Sequence, residues 1–298
     1  IEREELELNL CSIQESNGIG EEAIEYFANG NQQLKEDIEY LVTVFNDAKE
    51  YGSILEVEAV NFEAIKERLS EIEEDENLMF GDYRRELLDS LHVLVKQCEI
   101  ISRKYDICIT NPPYMGNRNM SSTLLNYLNK AFNRTKNDLG VVFIERIFLF
   151  TKKSGYSSFI NQSSWLFQSS FTELRKEIID EKSISSLVHL GTRAFDEIGG
   201  EVVQTVSAVI RNIKVEGFLS SFVRLIDYKS SESKNKEYFY TKNYYTRNQG
   251  AFNNIPNKIF SYWLSNEFIN IIKEKKRLNE YADCKVGLQT GDNNIFLR

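Results

Sequence analysis

Two adjacent prolines, Pro112 and Pro113, stand directly behind an apolar run at residues 105–110 and fix where that run must end. Proline has a restricted φ and no backbone N–H, so neither residue can continue a hydrogen-bonded strand. The run, YDICIT, has the alternation of a strand, and we expect it to be buried in a sheet. Asn111 and Tyr114 flank the prolines, so the strand ends in a stiff corner framed by an amide and a phenol.

The segments after the corner indicate which kind of sheet this strand joins. Period-two patterns predict three more strands, and helical patterns separate most of them. The predicted strands are 156–162, 184–191 and 202–212, and the predicted helices are 121–133, 138–152 and 170–181. Strands alternating with helices indicate an α/β fold with a largely parallel sheet. The connection between 191 and 202 is too short for a full helix, so the last of these strands is expected to run antiparallel to its neighbour.

The segments before the corner and at the end of the chain have different sequence patterns. Residues 7–16 alternate and predict a short strand, whereas 18–103 carry helical spacing with acidic residues on the polar faces. After Asn212 the sequence becomes polar and locally basic, and a helix is predicted at 264–276. We therefore expect three parts. They are an α/β domain formed by 1–17 and 104–215, a helical insertion at 18–103, and a linker with the start of a second domain at 216–298.

Composition narrows the classes of function. The formal net charge is −9, so the chain as a whole is not a protein that simply binds along nucleic-acid phosphates. The four cysteines form no CxxC pair or disulfide framework, and with only two histidines we expect no metal site. No apolar stretch is long and uncharged enough to span a bilayer. These features predict a protein of the reducing cytoplasm without a membrane partner.

The corner has a specific chemical capacity. The carboxyl ends of parallel strands open into the crevice where ligands bind in α/β sheets. There the rigid carbonyl of Pro112 and the amide oxygen of Asn111 can converge on one point, where they can accept both hydrogens of a planar NH2 group. Such bonding draws the nitrogen lone pair out of ring conjugation, and Tyr114 offers a flat face for the heterocycle. The alternative is an ordinary Asn-Pro turn that ends a strand.

These residues resemble a known family. The pattern (D/N/S)PP(Y/F) behind an apolar strand is the catalytic motif of amino-group methyltransferases that use S-adenosylmethionine, and NPPY at 111–114 resembles the adenine-N6 branch. The wider sequence is similar to the Eco57I-like DNA methyltransferases, and most of all to the PglX methyltransferases of BREX phage-defence systems. The supporting stretches are YDICITNPPYMG (105–116), DLGVVFIER (138–146), INQSSWLF (160–167), HLGTRAFDEIGGEVVQTVSAVIRN (189–212) and GLQTGDNNIFLR (287–298).

The resemblance implies the C-terminal part of a Rossmann-like methyltransferase sheet and assigns roles at the corner. Asn111 and Pro112 are expected to orient the N6 amine, and Tyr114 to stack on the adenine. The adenine has to leave double-stranded DNA because its amine is otherwise engaged in pairing. Phe195 matches an aromatic residue that closes the other side of the base, with a core aromatic as the alternative.

The resemblance also implies a site for S-adenosylmethionine. Pro113 is expected near the methyl donor, and Phe143 matches an aromatic residue that lines the adenosine pocket. Glu15, or Gln14 beside it, matches the position that contacts the adenine of the donor. Core packing remains the alternative for Phe143, and a plain polar loop remains the alternative for Glu15.

The chain departs from the family in one respect. The Asp-Pro-x-x-Gly-x-Gly turn that binds the donor is absent, and the Gly-x-Gly at 18–20 has no Asp-Pro before it. We therefore expect an internal fragment that is inactive when isolated, taken from an enzyme that methylates adenine N6 in phage defence, where other defence proteins are possible partners. The alternatives are a fused restriction–modification enzyme, a non-catalytic scaffold that binds DNA or partners, and a methyltransferase acting on protein glutamine or on rRNA guanine.

Overall fold

Helices make up most of the chain before the corner. The computed structural model describes residues 8–75, 80–195, 203–276 and 278–283. The helices that precede residue 104 in these ranges are α1 (Glu21–Ala28), α2 (Gln32–Val44), α3 (Ala48–Tyr51), α4 (Phe62–Glu74) and α5 (Gly81–Ser102). Helical periodicity therefore predicted the character of this segment correctly.

Local sequence explains where these helices begin and which face they bury. The side chain of Asn31 accepts hydrogen bonds from backbone N–H groups in the first turn of α2, and Asn61 does the same for α4. Apolar residues three and four positions apart then form one buried stripe on each helix. Ile38, Leu41 and Leu91 from these stripes are fully buried in a shared core.

The short strand predicted at 7–16 is wrong for the described part, residues 8–16, which forms no strand. Alternation predicts a strand only where a neighbouring strand completes the hydrogen bonds. Here the bonds come from the helices instead. The N–H of Ser16 donates to the carbonyl oxygen of Phe45 at 3.1 Å, and the peptide of Gln14 is bound by a side chain of α5.

One mixed sheet follows the helices. Its strands within the described residues are β1 (Tyr105–Thr110), β2 (Thr151–Gln162), β3 (Ser183–Gly191), β4 (Thr205–Arg211), β5 (Leu219–Arg224) and β6 (Tyr244–Asn248). They are ordered β1-β2-β4-β3-β5-β6. β1 runs parallel to β2, and β4 runs antiparallel to both β2 and β3, as expected from the short connection before it. The α/β fold class and the antiparallel direction of β4 are thereby confirmed. The expectation of a largely parallel sheet is wrong, because three of the five strand pairs among the described residues are antiparallel and the sheet is mixed.

Helices connect these strands and cover the sheet. They are α6 (Ser122–Ala131), α7 (Leu139–Phe150), α8 (Thr172–Glu181), α9 (Ser231–Glu237) and α10 (Asn266–Glu274). α7 packs on β1 and β2, and α8 packs on β3. The sheet core contains Phe159, Trp165 and Phe222, all buried. No helix in the described ranges is long and apolar enough to cross a membrane.

The first strand differs from its expected environment. Among the described strands β1 pairs only with β2, so it forms one edge of the sheet. Ile107 is 65% exposed and Ile109 is 78% exposed, although the sequence predicts a buried strand. An apolar pattern predicts that a strand can be buried. Burial also requires a neighbouring strand or helix on each side, which the pattern does not predict.

The end of the sheet opposite β1 is formed by residues that the sequence analysis assigns to the third part of the chain. β5 pairs with β3, and β6 pairs with β5, so both strands extend the same sheet beyond residue 215. The division at 215 and 216 and the start of a second domain stay predictions.

Candidate active site

The Asn-Pro-Pro-Tyr corner lies at the carboxyl end of β1. Thr110 is the last residue of β1 in register with β2, opposite Phe159, and Asn111 follows it. Asn111 is exposed, and no hydrogen bond occupies its side chain within the described residues. Pro112 is buried, and its carbonyl oxygen likewise accepts no hydrogen bond from that part of the chain. The Asn111 side chain and the Pro112 carbonyl oxygen are therefore both without a hydrogen-bond partner among the described residues.

Tyr114 is half-buried, but its hydroxyl group is fully enclosed and has no hydrogen-bond partner among the described residues. Burial raises the pKa of this phenol above its ordinary value, so it stays neutral at physiological pH. The side chain thus combines a neutral aromatic ring with a fixed position beside the two prolines. Such a ring is suited to stacking against a flat heterocycle.

Backbone hydrogen bonds tie the exit of the corner to the beginning of α7. The N–H of Leu139 donates to the carbonyl oxygen of Met115 at 2.8 Å, and the N–H of Asn117 donates to that of Asn137 at 3.0 Å. Gly116 and Asp138 form an antiparallel bridge between these contacts. The loop after the prolines is consequently held at both of its ends, by β1 and by α7.

The beginning of α7 is itself fixed by two polar side chains. The carboxylate of Asp138 accepts the N–H of Gly140 at 2.9 Å, which is a helix N-cap, and burial raises the pKa of this carboxyl. The amide of Asn161, fully buried near the end of β2, donates to the carbonyl oxygen of Gly140 at 2.6 Å. Only glycine fits here, since a Cβ on residue 140 would lie 2.4 Å from the Asn161 Oδ1.

Sequence reasoning missed Asn161 and Asp138 as supports of the site. Asp138 could have been found, because an Asp directly before a helical pattern is a recognised N-cap signal. Asn161 gave no such signal, because it lies 21 residues from its partner and only the folded sheet brings them together. The support of the corner is therefore partly local and partly tertiary.

A cavity of about 530 Å3 is lined by residues of β1, by the end of α5 and by α7. Thr110, the residue before the motif, lines it together with Ile107 and Ile109. Phe143 on α7 faces the same cavity and is half-buried. The volume lies within the ~300–1,000 Å3 typical of small-molecule sites. Of the residues predicted for the donor, Phe143 therefore shares a cavity with the end of β1, whereas the exposed Pro113 is not part of its lining.

Glu15 lies outside the lining of this cavity. Its carboxylate accepts the backbone N–H of Lys49 at 3.2 Å and pairs with the Lys49 ammonium at 3.4 Å. Its neighbours Ile13 and Cys11 do line the cavity. The segment predicted to reach the donor thus borders the cavity, and the carboxylate itself is bound to the helical region.

Phe195 lies beyond the end of β3 and is 36% exposed. β3 runs parallel to β1, because β4 is antiparallel to its neighbours on both sides, so both strands end at the same edge of the sheet. Three strand spacings separate β1 from β3, about 14 Å. Contact of Phe195 with the same ligand as Tyr114 stays a prediction.

The titratable groups of the sheet include a buried histidine. The Nδ1 of His189 lies 3.0 Å from the Tyr262 hydroxyl, and burial lowers the pKa of the imidazole to about 4. This environment fits a structural histidine. Within the described ranges, no group of three or more His, Cys, Asp or Glu side chains could hold a metal ion.

Comparison with known proteins adds an independent line of argument. The family model described as Eco57I restriction-modification methylase matches residues 6–195. Adenine-specific methyltransferase PglX of Lacticaseibacillus casei (strain Zhang) is 35% identical over 269 residues, which cover 85% of this chain and 22% of that protein. Adenine-specific methyltransferase BrxX of Escherichia coli O9:H4 (strain HS) is 32% identical over 261 residues, which cover 86% of this chain and 21% of that protein.

A third relative combines two activities in its name. Type II restriction enzyme and methyltransferase RM.Eco57I of Escherichia coli is 24% identical over 244 residues, which cover 75% of this chain and 23% of that protein. The chain spans about a fifth of the length of all three relatives. The residues that match the family model include the corner, the strands β1 to β3 and the helix α7.

Proposed function

The chain belongs to the Eco57I restriction-modification methylase family, and from this premise we propose that it forms part of an enzyme that methylates the N6 amine of adenine in DNA. The methyl donor of the proposed reaction is S-adenosylmethionine, which supplies an electrophilic methyl group when bound. The observation that carries the proposal is the corner at Asn111 and Pro112, whose two oxygen acceptors are unoccupied beside a cavity. The names of the relatives support adenine as the substrate base.

The residues of the corner explain how the amine becomes a nucleophile. The Asn111 amide oxygen and the Pro112 carbonyl oxygen accept the two N–H bonds of the adenine amine. These bonds favour a pyramidal nitrogen whose lone pair points away from the ring. As the new N–C bond forms, the C–S bond of the donor would break and release the thioether, and the nitrogen would then lose one proton to solvent beside the exposed Asn111. Tyr114 is a neutral phenol with a raised pKa, so it does not act as the proton acceptor.

The cavity beside β1 has the volume of a small-molecule site and a largely apolar lining, which suits the adenosine part of the donor. Phe143 offers an aromatic face for the adenosine, and the isoleucines of β1 offer apolar surface. The donor lies next to Thr110 in this arrangement, one residue from Asn111. The methyl group and the amine then meet at the carboxyl edge of β1, so orientation by fixed groups supplies much of the rate enhancement.

The distribution of charge supports DNA as the partner of the sheet. Residues 1–103 contain 26 acidic and 9 basic side chains, a formal charge of −17, whereas residues 104–298 contain 19 acidic and 27 basic side chains, a formal charge of +8. The two values add to the −9 of the chain. A positive region attracts the phosphates, and a strongly negative region is repelled by them. The DNA therefore approaches the sheet, and the target adenine leaves the duplex to reach the corner.

The likeness to PglX and BrxX supports a role in phage defence, in a system of the BREX type. The more distant likeness to RM.Eco57I supports a second candidate, a methylase fused to a restriction enzyme. The two candidates share the chemistry at Asn111. They differ in whether the complete protein also cuts DNA, which incubation with unmodified DNA and Mg2+ decides.

Labelled methyl transfer tests the proposal. The protein that contains this chain, in its natural length, is incubated with tritiated S-adenosylmethionine and unmethylated genomic DNA, which presents every recognition sequence. Asn111→Ala removes one acceptor and is expected to lower incorporation by about 100-fold or more, in the range of other groups that act on the transition state. Asn119→Ala, an exposed amide in the following turn, is the control and is expected to stay within about twofold. Equal incorporation by the two variants would contradict the proposal.

A further inference from the structure

A glutamine of the helical region replaces a neighbouring strand for the segment that borders the cavity. Gln97 lies on α5 and is fully buried. Its Oε1 accepts the N–H of Gln14 at 2.8 Å, and its Nε2 donates to the carbonyl oxygen of Gln14 at 2.9 Å. One side chain thus satisfies both polar groups of one residue, as a paired strand does.

This pair of hydrogen bonds fixes the segment around Gln14, which follows two exposed residues. Leu8 and Leu10 are 72% and 74% exposed, so these two residues make little contact with the rest of the protein. After Gln14, the hydroxyl of Ser16 donates to the carbonyl oxygen of Val42 at 2.5 Å. Gln97 is therefore the anchor nearest to the cavity on this segment.

The neighbours of Gln14 connect the anchor to the donor side of the site. Ile13 precedes Gln14 and lines the 530 Å3 cavity with Phe143. Glu15 follows it and is bound to Lys49. A displacement of the Gln14 peptide would move the cavity wall at Ile13 and the carboxylate of Glu15 together.

We propose that Gln97 is a positioning residue for the methyl-donor side of the site and holds the segment 13–15 in place without touching the reacting atoms. This inference rests on the proposed function. It assigns the acidic helical region a role in donor binding, through a buried amide 83 residues away in sequence. Removal of the amide leaves the N–H and the carbonyl oxygen of Gln14 without these partners, which drives the segment toward solvent.

A second buried glutamine provides a matched control. Gln249 is also buried, accepts the N–H of Ile184 at 2.8 Å, and donates to the carbonyl oxygen of Ile178 at 2.9 Å. It binds α8 to β3 on the opposite part of the sheet from β1. Gln97→Met and Gln249→Met therefore remove the same chemistry from two places, and both are expected to lower the melting temperature.

The experiment measures the dissociation constant of S-adenosylmethionine by calorimetric titration without DNA, and then KM for the donor and kcat with unmethylated genomic DNA, all in the protein of natural length. The dissociation constant is expected to follow the changes in KM given below. For Gln97→Met we expect KM to rise about tenfold, with kcat at saturating donor within about threefold of wild type. For Gln249→Met we expect KM within about twofold. An unchanged KM in Gln97→Met, or an equal rise in both variants, would overturn the inference.

A second variant and a wild-type measurement complete the design. Gln97→Glu keeps an acceptor for the Gln14 N–H but loses the donor, and it is expected to raise KM by an intermediate factor. If Gln97→Met does not fold, this variant decides, and a KM equal to wild type counts against the inference. Wild-type protein that neither binds nor uses the donor would refute the proposed function itself, whereas normal donor use in all variants refutes only the role of Gln97.

Discussion

The helical region and the sheet region differ in the residues that they bury and in their formal charge. The helices before residue 104 bury an almost wholly apolar core and carry their charge outside, with a formal charge of −17 over residues 1–103. The sheet region has a formal charge of +8 and buries several polar side chains, among them Asn161, Arg175 and His189. This contrast agrees with the proposed function, in which the sheet region holds the reacting groups and its positive charge favours DNA phosphates.

The two regions are nevertheless joined by specific polar contacts. The guanidinium of Arg146 on α7 donates to the carbonyl oxygens of Ser53 and Leu55 in the turn after α3. The Tyr127 hydroxyl on α6 accepts the N–H of Glu56 at 3.0 Å. These contacts lie beside α7, which holds the Asn-Pro-Pro-Tyr corner, so the helices can influence the corner without contributing a reacting group.

Truncation of the helical core gives the largest expected loss of stability. Leu91 is fully buried on α5, and Leu91→Ala should lower the free energy of unfolding by about 2–5 kcal/mol. Val93→Ala on the same helix is the control, since Val93 is exposed, and should change it by less than about 0.5 kcal/mol. Urea denaturation measures both. A change in DNA affinity of the folded Leu91→Ala protein would break the separation between the two regions.

The two histidines, one in each region, allow the pH dependence of the stability of the two regions to be compared. His189 is buried in the sheet with a pKa of about 4, whereas His92 on α5 is exposed. Between pH 6.5 and pH 4 the unfolded chain binds a proton at residue 189 that the folded chain does not, so stability falls as the pH is lowered, by about 3 kcal/mol in all. Urea unfolding at pH 7 and pH 4.5 should show this loss in wild type and His92→Gln. It should be smaller by about 2 kcal/mol in His189→Gln, and equal pH dependence in all three proteins would show that His189 is not responsible.

A methyl group added at the beginning of α7 tests how tightly the Asn-Pro-Pro-Tyr corner is supported. In Gly140→Ala the new Cβ would lie 2.4 Å from the Asn161 Oδ1, which is fixed by the N–H of Gln162 at 2.7 Å. We expect a loss of about 1–3 kcal/mol in stability from this overlap, together with slower methyl transfer. Gly116→Ala, where the Cβ meets no atom within 4 Å, is the control for stability. Equal melting temperatures for the two variants would contradict the account of α7.

The smallest effect is expected at the hydroxyl group of Tyr114. This group has no partner among the described residues, so Tyr114→Phe should change stability by less than about 0.5 kcal/mol and the methyl-transfer rate by less than about threefold. Tyr114→Ala removes the stacking surface and should slow transfer by about tenfold or more. A large loss in Tyr114→Phe would mean that the hydroxyl, and not the ring, is what the substrate needs.

The sheet could be predicted from the sequence to a large extent, and the supports of the site only in part. β1 has the predicted bounds, and α7 lies inside the predicted helix 138–152, because strand and helix periodicities are local signals. The prolines and the flanking residues of the motif are local as well. Gln97 and Asn161 could not be recognised, since their partners lie 83 and 21 residues away and a buried amide has no periodic signature. The exposure of Ile107 and Ile109 was missed because the sequence of a strand does not reveal how many strands lie beside it.

Identification of the methylated nucleoside tests the central claim most directly. Unmethylated genomic DNA is treated with S-adenosylmethionine and the protein of natural length, digested to nucleosides, and separated by mass spectrometry. The account predicts N6-methyldeoxyadenosine with wild-type protein, the same product with Asn119→Ala, and almost none with Asn111→Ala. Methylation at N4 of cytosine, or N6-methyldeoxyadenosine at wild-type level from Asn111→Ala, would contradict it.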